Sequence, residues 1–128
     1  MERLKNVLIV DDDETSIFVA KKVLKSIGVF SNVLSAKSGL DGLRMLKEAK
    51  EKGQQPQLIL LDVHMHQMGG FAFLEEVGKT GYVNLIDTKI VLLTNSQNPL
   101  VIESAKKHLA AEYLVKPLTK EKLMSVLD

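Results

Sequence analysis

Four uninterrupted apolar runs constrain this chain most: Val7-Leu8-Ile9-Val10, Leu58-Ile59-Leu60-Leu61, Ile90-Val91-Leu92-Leu93 and Tyr113-Leu114-Val115. None alternates with polar residues. A strand with one wet face would alternate, so runs like these suit strands covered on both faces, as in a parallel sheet. A more polar stretch, Val33-Leu34-Ser35-Ala36, has the composition of an edge strand.

Helical stripes fall between the runs. Ile17, Ala20, Leu24 and Ile27 recur at helical spacing and Gly28 follows as a stop. Leu40, Leu43, Leu46 and Ala49 repeat the pattern behind a capping-box-like Ser38-Gly39-Leu40-Asp41, and Gly53 ends it. Phe71, Leu74 and Val77 form a third stripe, and Leu100 or Val101 with Ala105 and Leu109 a weaker fourth. Leu123, Met124 and Leu127 close the chain behind an N-cap at Thr119. Strand then helix, five times over, predicts an α/β domain with helices on both faces of a parallel sheet. The connection from Thr80 to Thr88 is the longest one without a clear pattern.

The 128 residues match one domain, residues 1–128, large enough to bury a core. Without cysteine there is no disulfide framework and no thiolate metal site. A formal charge of +1 gives no electrostatic argument for nucleic acid or an anionic membrane. No apolar run approaches the ~20 residues of a membrane span, and no signal peptide is visible. A cytoplasmic protein is the expectation.

In open α/β sheets, ligands bind beyond the carboxyl ends of the strands. Asp11, Asp12 and Asp13 follow the first run, Asp62 ends the third strand, Thr94 follows the fourth, and Lys116 follows the fifth. Each has a plain structural reading: helix caps for the first acids, a solvated loop acid, a turn hydroxyl, a surface lysine. Their joint placement at four strand ends argues for chemistry. Crowded carboxylates repel one another unless a cation compensates. Mg²⁺ takes oxygen ligands, keeps waters and leaves room for phosphate oxygens. An ionised Asp62 beside it is a nucleophile toward phosphorus, with the Lys116 ammonium neutralising phosphoryl charge.

These segments resemble the receiver domains of two-component response regulators. The resemblance rests on Val7–Asp13, on Leu58–Met65 with Met68-Gly69-Gly70, on Ile90–Thr94 and on Tyr113–Leu118, and runs from about Asn6 to Leu127. It implies a flavodoxin-like, doubly wound (βα)5 fold with a five-stranded parallel sheet of order 2-1-3-4-5. Asp62 becomes the phosphoacceptor, aided by Thr94 and Lys116. Asp12, Asp11, Asp62 and the main-chain carbonyl of His64 become ligands of Mg²⁺ or Mn²⁺. Thr94 and Tyr113 become a switch pair, and the Lys116–Pro117 bond is expected to be cis. The phosphoryl donor becomes a histidine kinase or a histidine phosphotransfer protein. The chain is then a signalling switch or relay carrier rather than an enzyme, acting on a downstream protein by a population shift. The expected contact face joins Leu100, Val101, Ser104 and Tyr113 to the last helix, a surface also compatible with a phosphorylation-linked dimer. With no output domain after Asp128, the expectation is a stand-alone receiver.

Several positions depart from the family pattern. His66 stands where proline is usual, Gly69 where an acid or asparagine is common, and Asn95 where a small residue follows the threonine. His64, His66, Asn95 and Ser96 are therefore the expected modulators of phosphate gain and loss. Asp62, His64 and His66 are spaced by two, so an extended segment would align them for a transition metal, but a turn after Met65 breaks that alignment. Rival functions are an unphosphorylated interaction module, an aspartyl-phosphate phosphatase and a flavin binder. The intact acids, Thr94 and Lys116 oppose the first. The phosphatase wants an acid where His64 stands, and three acids after the first strand would repel a flavin phosphate.

Overall fold

The computed structural model describes residues 4–28, 30–65, 68–84, 87–95, 100, 103, 107 and 112–127. Strands β1 (Leu4–Val10), β2 (Phe30–Ala36), β3 (Leu58–Asp62), β4 (Lys89–Thr94) and β5 (Glu112–Val115) form one parallel sheet of order β2-β1-β3-β4-β5. Helices α1 (Glu14–Ile27), α2 (Gly39–Lys52), α3 (Gly70–Thr80) and α4 (Lys120–Leu127) join or follow them. The architecture is the expected flavodoxin-like one. The expected helix between β4 and β5 falls largely outside the described residues, as do Val101 and Ser104 of the expected contact face.

The uninterrupted apolar runs have a direct physical cause. Successive strand residues point to opposite faces, and both faces are covered along the runs of β1, β3 and β4. Strand β5, at the sheet edge, leaves Tyr113, Leu114 and Val115 only partly buried. Leu8, Val10, Ile59, Leu61 and Leu92 join one core with Leu46 of α2 and Phe73 and Val77 of α3. Val7, Ile9, Leu58, Leu60, Val91 and Leu93 join the other with Ile17, Ala20 and Leu24 of α1 and Leu123 of α4. The edge strand β2 buries only Ala36, which explains its polar composition. It begins at Phe30, three residues before the apolar segment that marks it in the sequence.

Local signals set the helix ends. Asp13 accepts a hydrogen bond from the Thr15 N–H at 3.2 Å and Ser38 one from Asp41 at 3.1 Å. Thr119 accepts from the Lys122 N–H at 3.2 Å. Gly28 and Gly53 end α1 and α2 with φ of 76° and 67°, a conformation that a β-carbon would strain. Among the described residues, no helix is long and apolar enough to cross a membrane.

Candidate functional site

Register brings the strand ends together. Val10 pairs with Leu61, Asp62 with Leu93, and Thr94 with Val115. Asp11, Asp62, Thr94 and Lys116 therefore share one sheet edge, beside the point where strand order reverses between β1 and β3. One carboxylate oxygen each from Asp11, Asp12 and Asp62 lies within 4.8 Å of the others. Asp11 and Asp62 are buried, at 1% and 6% exposure.

The chain around each acid is tightly held. The Asp11 N–H donates to the Ala36 carbonyl at 3.0 Å, and its Oδ1 accepts from the Asp13 N–H at 2.9 Å. Asp62 Oδ1 accepts from the His64 N–H at 3.4 Å. Behind Asp62, the Gly70 N–H donates to the Val63 carbonyl at 2.9 Å. A β-carbon on Gly70 would lie 2.6 Å from the Asp62 carbonyl oxygen and 2.9 Å from Val63 Cα. Only glycine lets α3 start this close to the backbone of β3.

Lys116 reaches in from the end of β5. Its N–H donates to the Thr94 carbonyl at 2.7 Å, and the Lys116–Pro117 peptide is cis. Its Nζ lies 3.0 Å from Asp11 Oδ2, 3.1 Å from Ser16 Oγ and 3.5 Å from Asp62 Oδ1. Next to it a cavity of about 290 Å³ opens between α1 and the segment after β5, walled by Ser16, Val19, Leu93, Asn95, Lys116 and Leu118.

Burial, and then the neighbouring Asp11 carboxylate, push the Asp62 carboxyl up to about 6 from an ordinary 3.8, against the opposing pull of Lys116. A buried acid group carrying three carboxylates and one ammonium is short of positive charge. Its donor set is all oxygen, which fits a hard divalent cation such as Mg²⁺ and not a thiophilic one. The Asp13 carboxyl, by contrast, is held below its ordinary value by the Ser16 hydroxyl and the Thr15 N–H.

The structure thus gathers Asp11, Asp12, Asp62 and Lys116. Thr94 is buried at the end of β4, and Tyr113 is half-buried on β5 against the core shared with α2 and α3. Asn95 and His64 are exposed. β3 ends at Asp62, so His64 is not aligned with it along a strand. His66 and Ser96 lie outside the described residues. Of two further residues at the site, the sequence reading named Gly70 only within the Met68-Gly69-Gly70 segment and did not single out Ser16. Gly70 carries only the weak signal of a glycine at a helix start. Ser16 sits three residues after Asp13, a spacing that brings two side chains together in a first helical turn.

A family model described as the response regulator receiver domain matches residues 7–128. This chain belongs to that family. The receiver domain is 29% identical over 126 residues to a probable C4-dicarboxylate response regulator, DctR, of Halalkalibacterium halodurans, covering 98% of this chain and 51% of that protein. The chain spans about half the length of the first curated relatives it matches. A two-component response regulator from Cytophaga hutchinsonii shares the fold at a TM-score of 0.90, with 22% identity over 97% of this chain and 94% of that one. The response regulator TrrA of Thermotoga maritima, solved in complex with Mg²⁺ and BeF, is 26% identical, with a TM-score of 0.72 and 94% of each chain covered. Receiver domains as a family take phosphate from histidine kinases and act on downstream effectors.

Proposed function

We propose that Asp62 is the phosphoacceptor of this receiver domain, and that Asp11, Asp12, Asp62 and the His64 carbonyl hold Mg²⁺ or Mn²⁺ beside it. The observation that carries this reading is the meeting of three carboxylates within 4.8 Å, with the Lys116 ammonium on two of them. The Mg²⁺ bound by the Thermotoga maritima relative supports the choice of ion.

A carboxylate oxygen of Asp62 attacks the phosphorus of a phosphohistidine on a histidine kinase or phosphotransfer protein. The O–P bond forms as the N–P bond breaks, and the donor imidazole keeps the electron pair. A divalent cation held by Asp11, Asp12, Asp62 and the His64 carbonyl would supply positive charge to the phosphoryl oxygens and favour the ionised form of Asp62. Lys116, a compact point charge, pairs with another phosphoryl oxygen. The Thr94 hydroxyl then donates to the phosphoryl group, and Tyr113 follows it to reshape the partner-facing surface. Water later cleaves the acyl phosphate, restoring the carboxylate and releasing inorganic phosphate. Exposed His64 and Asn95 border that water's approach, with His66 and Ser96 as further modulators. The output is control of a partner protein, or onward relay of phosphate, in the cytoplasm.

Incubation with phosphoramidate and Mg²⁺ tests the reading. The expected result is an intact-mass gain of one phosphoryl group, mapped to Asp62 and absent from Asp62→Asn. A modification that persists in that variant places the acceptor elsewhere, and no gain in the parental chain makes this an unphosphorylated interaction module.

A further inference from the structure

We propose that Ser16 is a positioning residue for Lys116, and that Asp13, the N-cap of α1, sets the direction of its hydroxyl. The inference rests on the reading of Lys116 as the partner of the phosphoryl group.

An ammonium has three N–H donors and no acceptor. Around Lys116 Nζ stand three acceptors: Asp11 Oδ2, Ser16 Oγ and Asp62 Oδ1. Because lysine only donates, Ser16 must accept. The single Ser16 proton then goes to Asp13 Oδ2, at 3.0 Å. The other oxygen of Asp13 accepts from the Thr15 N–H, and the Asp13 N–H donates to Asp11 Oδ1. The bonds close a ring: Asp11, Lys116, Ser16, Asp13 and back to Asp11. Every donor direction in it is fixed.

A lysine head is held by a flexible four-carbon stem, so its aim must come from its partners. Two of those partners are the acids that a cation would claim. Ser16 is the one that binds no cation in this reading, and it approaches from α1 rather than from the strands. It would therefore keep the ammonium in place as Asp11 and Asp62 turned to a cation and Lys116 turned to a phosphoryl oxygen. A helix cap alone would not require a hydroxyl at position 16, since Asp13 already caps the Thr15 N–H.

Ser16→Ala, Ser16→Thr and Ser16→Val separate the hydroxyl from its bulk, because Thr and Val differ little in shape. The cavity beside Ser16 leaves room for the added methyl groups. With phosphoramidate and saturating Mg²⁺, Ser16→Ala and Ser16→Val should slow acyl-phosphate formation roughly 3- to 10-fold, the loss of one charge-assisted hydrogen bond. Ser16→Thr should stay within about twofold of the parental rate. The second readout needs no phosphate: the ¹H–¹⁵N signal of the Lys116 ammonium. It should be sheltered from water exchange in the parental chain and Ser16→Thr, and broadened in Ser16→Ala and Ser16→Val. Parental rates in Ser16→Val, or Ser16→Thr falling with Ser16→Val, overturn the proposal. If the parental chain gains no phosphate on Asp62, the proposed function fails. The ammonium signal then decides the hold of Ser16 on Lys116 by itself, and an unchanged signal in Ser16→Val overturns it.

Discussion

Lys116 and Asp11 form an ion pair at 3.0 Å with side chains only 12% and 2% exposed, so one ammonium supplies the fixed counter-charge inside the acid cluster. Removing one partner of a buried pair leaves the other charge desolvated and uncompensated. Lys116→Met should therefore lower stability by about 2–4 kcal/mol in the absence of divalent cations. Mg²⁺ should restore most of that loss, because the cation replaces the missing charge. Urea denaturation with EDTA and with Mg²⁺ checks both halves. A variant equally unstable in both conditions would show that Lys116 matters for packing instead.

Asp62 makes stability depend on pH in a definite direction. Its carboxyl titrates at about 6 in the fold and at an ordinary 3.8 when exposed. Between those values the folded state holds more protons than the unfolded state. The contribution is fully present below the unfolded value and is lost as pH rises through the folded one. In EDTA the urea midpoint should thus rise as pH falls from about 7 to about 5, and Asp62→Asn should flatten that slope. The lowered carboxyls of Asp13 and Glu14 act with the opposite sign, but below their ordinary 3.8 and 4.5, outside this window. Saturating Mg²⁺ should also abolish the rise, since it favours the ionised cluster.

Two glycines of α3 should respond in opposite directions to alanine. At Gly70 the new β-carbon meets the Asp62 carbonyl oxygen at 2.6 Å, a backbone atom that cannot step aside. Gly70→Ala should destabilise by about 1–3 kcal/mol and slow phosphorylation by displacing Asp62. At Gly78 nothing lies within 4 Å. Gly78→Ala should stabilise by about 0.5–1 kcal/mol and leave phosphorylation unchanged. Thermal melts and phosphoramidate kinetics on the two variants suffice.

Thr94→Val preserves a buried, β-branched residue at the end of β4 and deletes only the hydroxyl. Phosphate should still arrive on Asp62 at a rate within about fivefold, since under the proposed function the hydroxyl would act only on a phosphoryl group already bound. The conformational response should be lost. Hydrogen exchange across β4 and β5 should then change on phosphorylation in the parental chain and stay still in the variant.

The central strands were the most legible part of the sequence because burial on both faces leaves little room for polar residues. Edge strand β2 was legible only near Ala36, the one position it buries. Helix ends at Asp13, Gly28, Ser38, Gly53 and Thr119 could be read because capping chemistry is local. The assembly of Asp11, Asp62, Thr94 and Lys116 at one edge followed from strand order alone. Ser16 and Gly70 did not follow from it. Their importance depends on a lysine 100 residues away and on a helix start so close to β3 that an added β-carbon would lie 2.6 Å from a carbonyl oxygen, neither of which leaves a local trace.

The two apolar cores have a consequence for how this site can be addressed. Of Lys116 and its ring partners, Asp11 and Asp13 lie in the link from β1 to α1, Ser16 in α1 and Lys116 in the segment before α4, and α1 and α4 share one core. The backbone of Asp62 is braced from the opposite side, through Gly70 at the head of α3. A partner on the α1–α4 face would therefore bear first on the Lys116 ammonium, and one on the α2–α3 face first on the Asp62 backbone. Under the proposed function, a neighbour on the first face would bear on how phosphate is held and one on the second on how it is taken up, the two effects meeting where Lys116 Nζ stands 3.5 Å from Asp62 Oδ1.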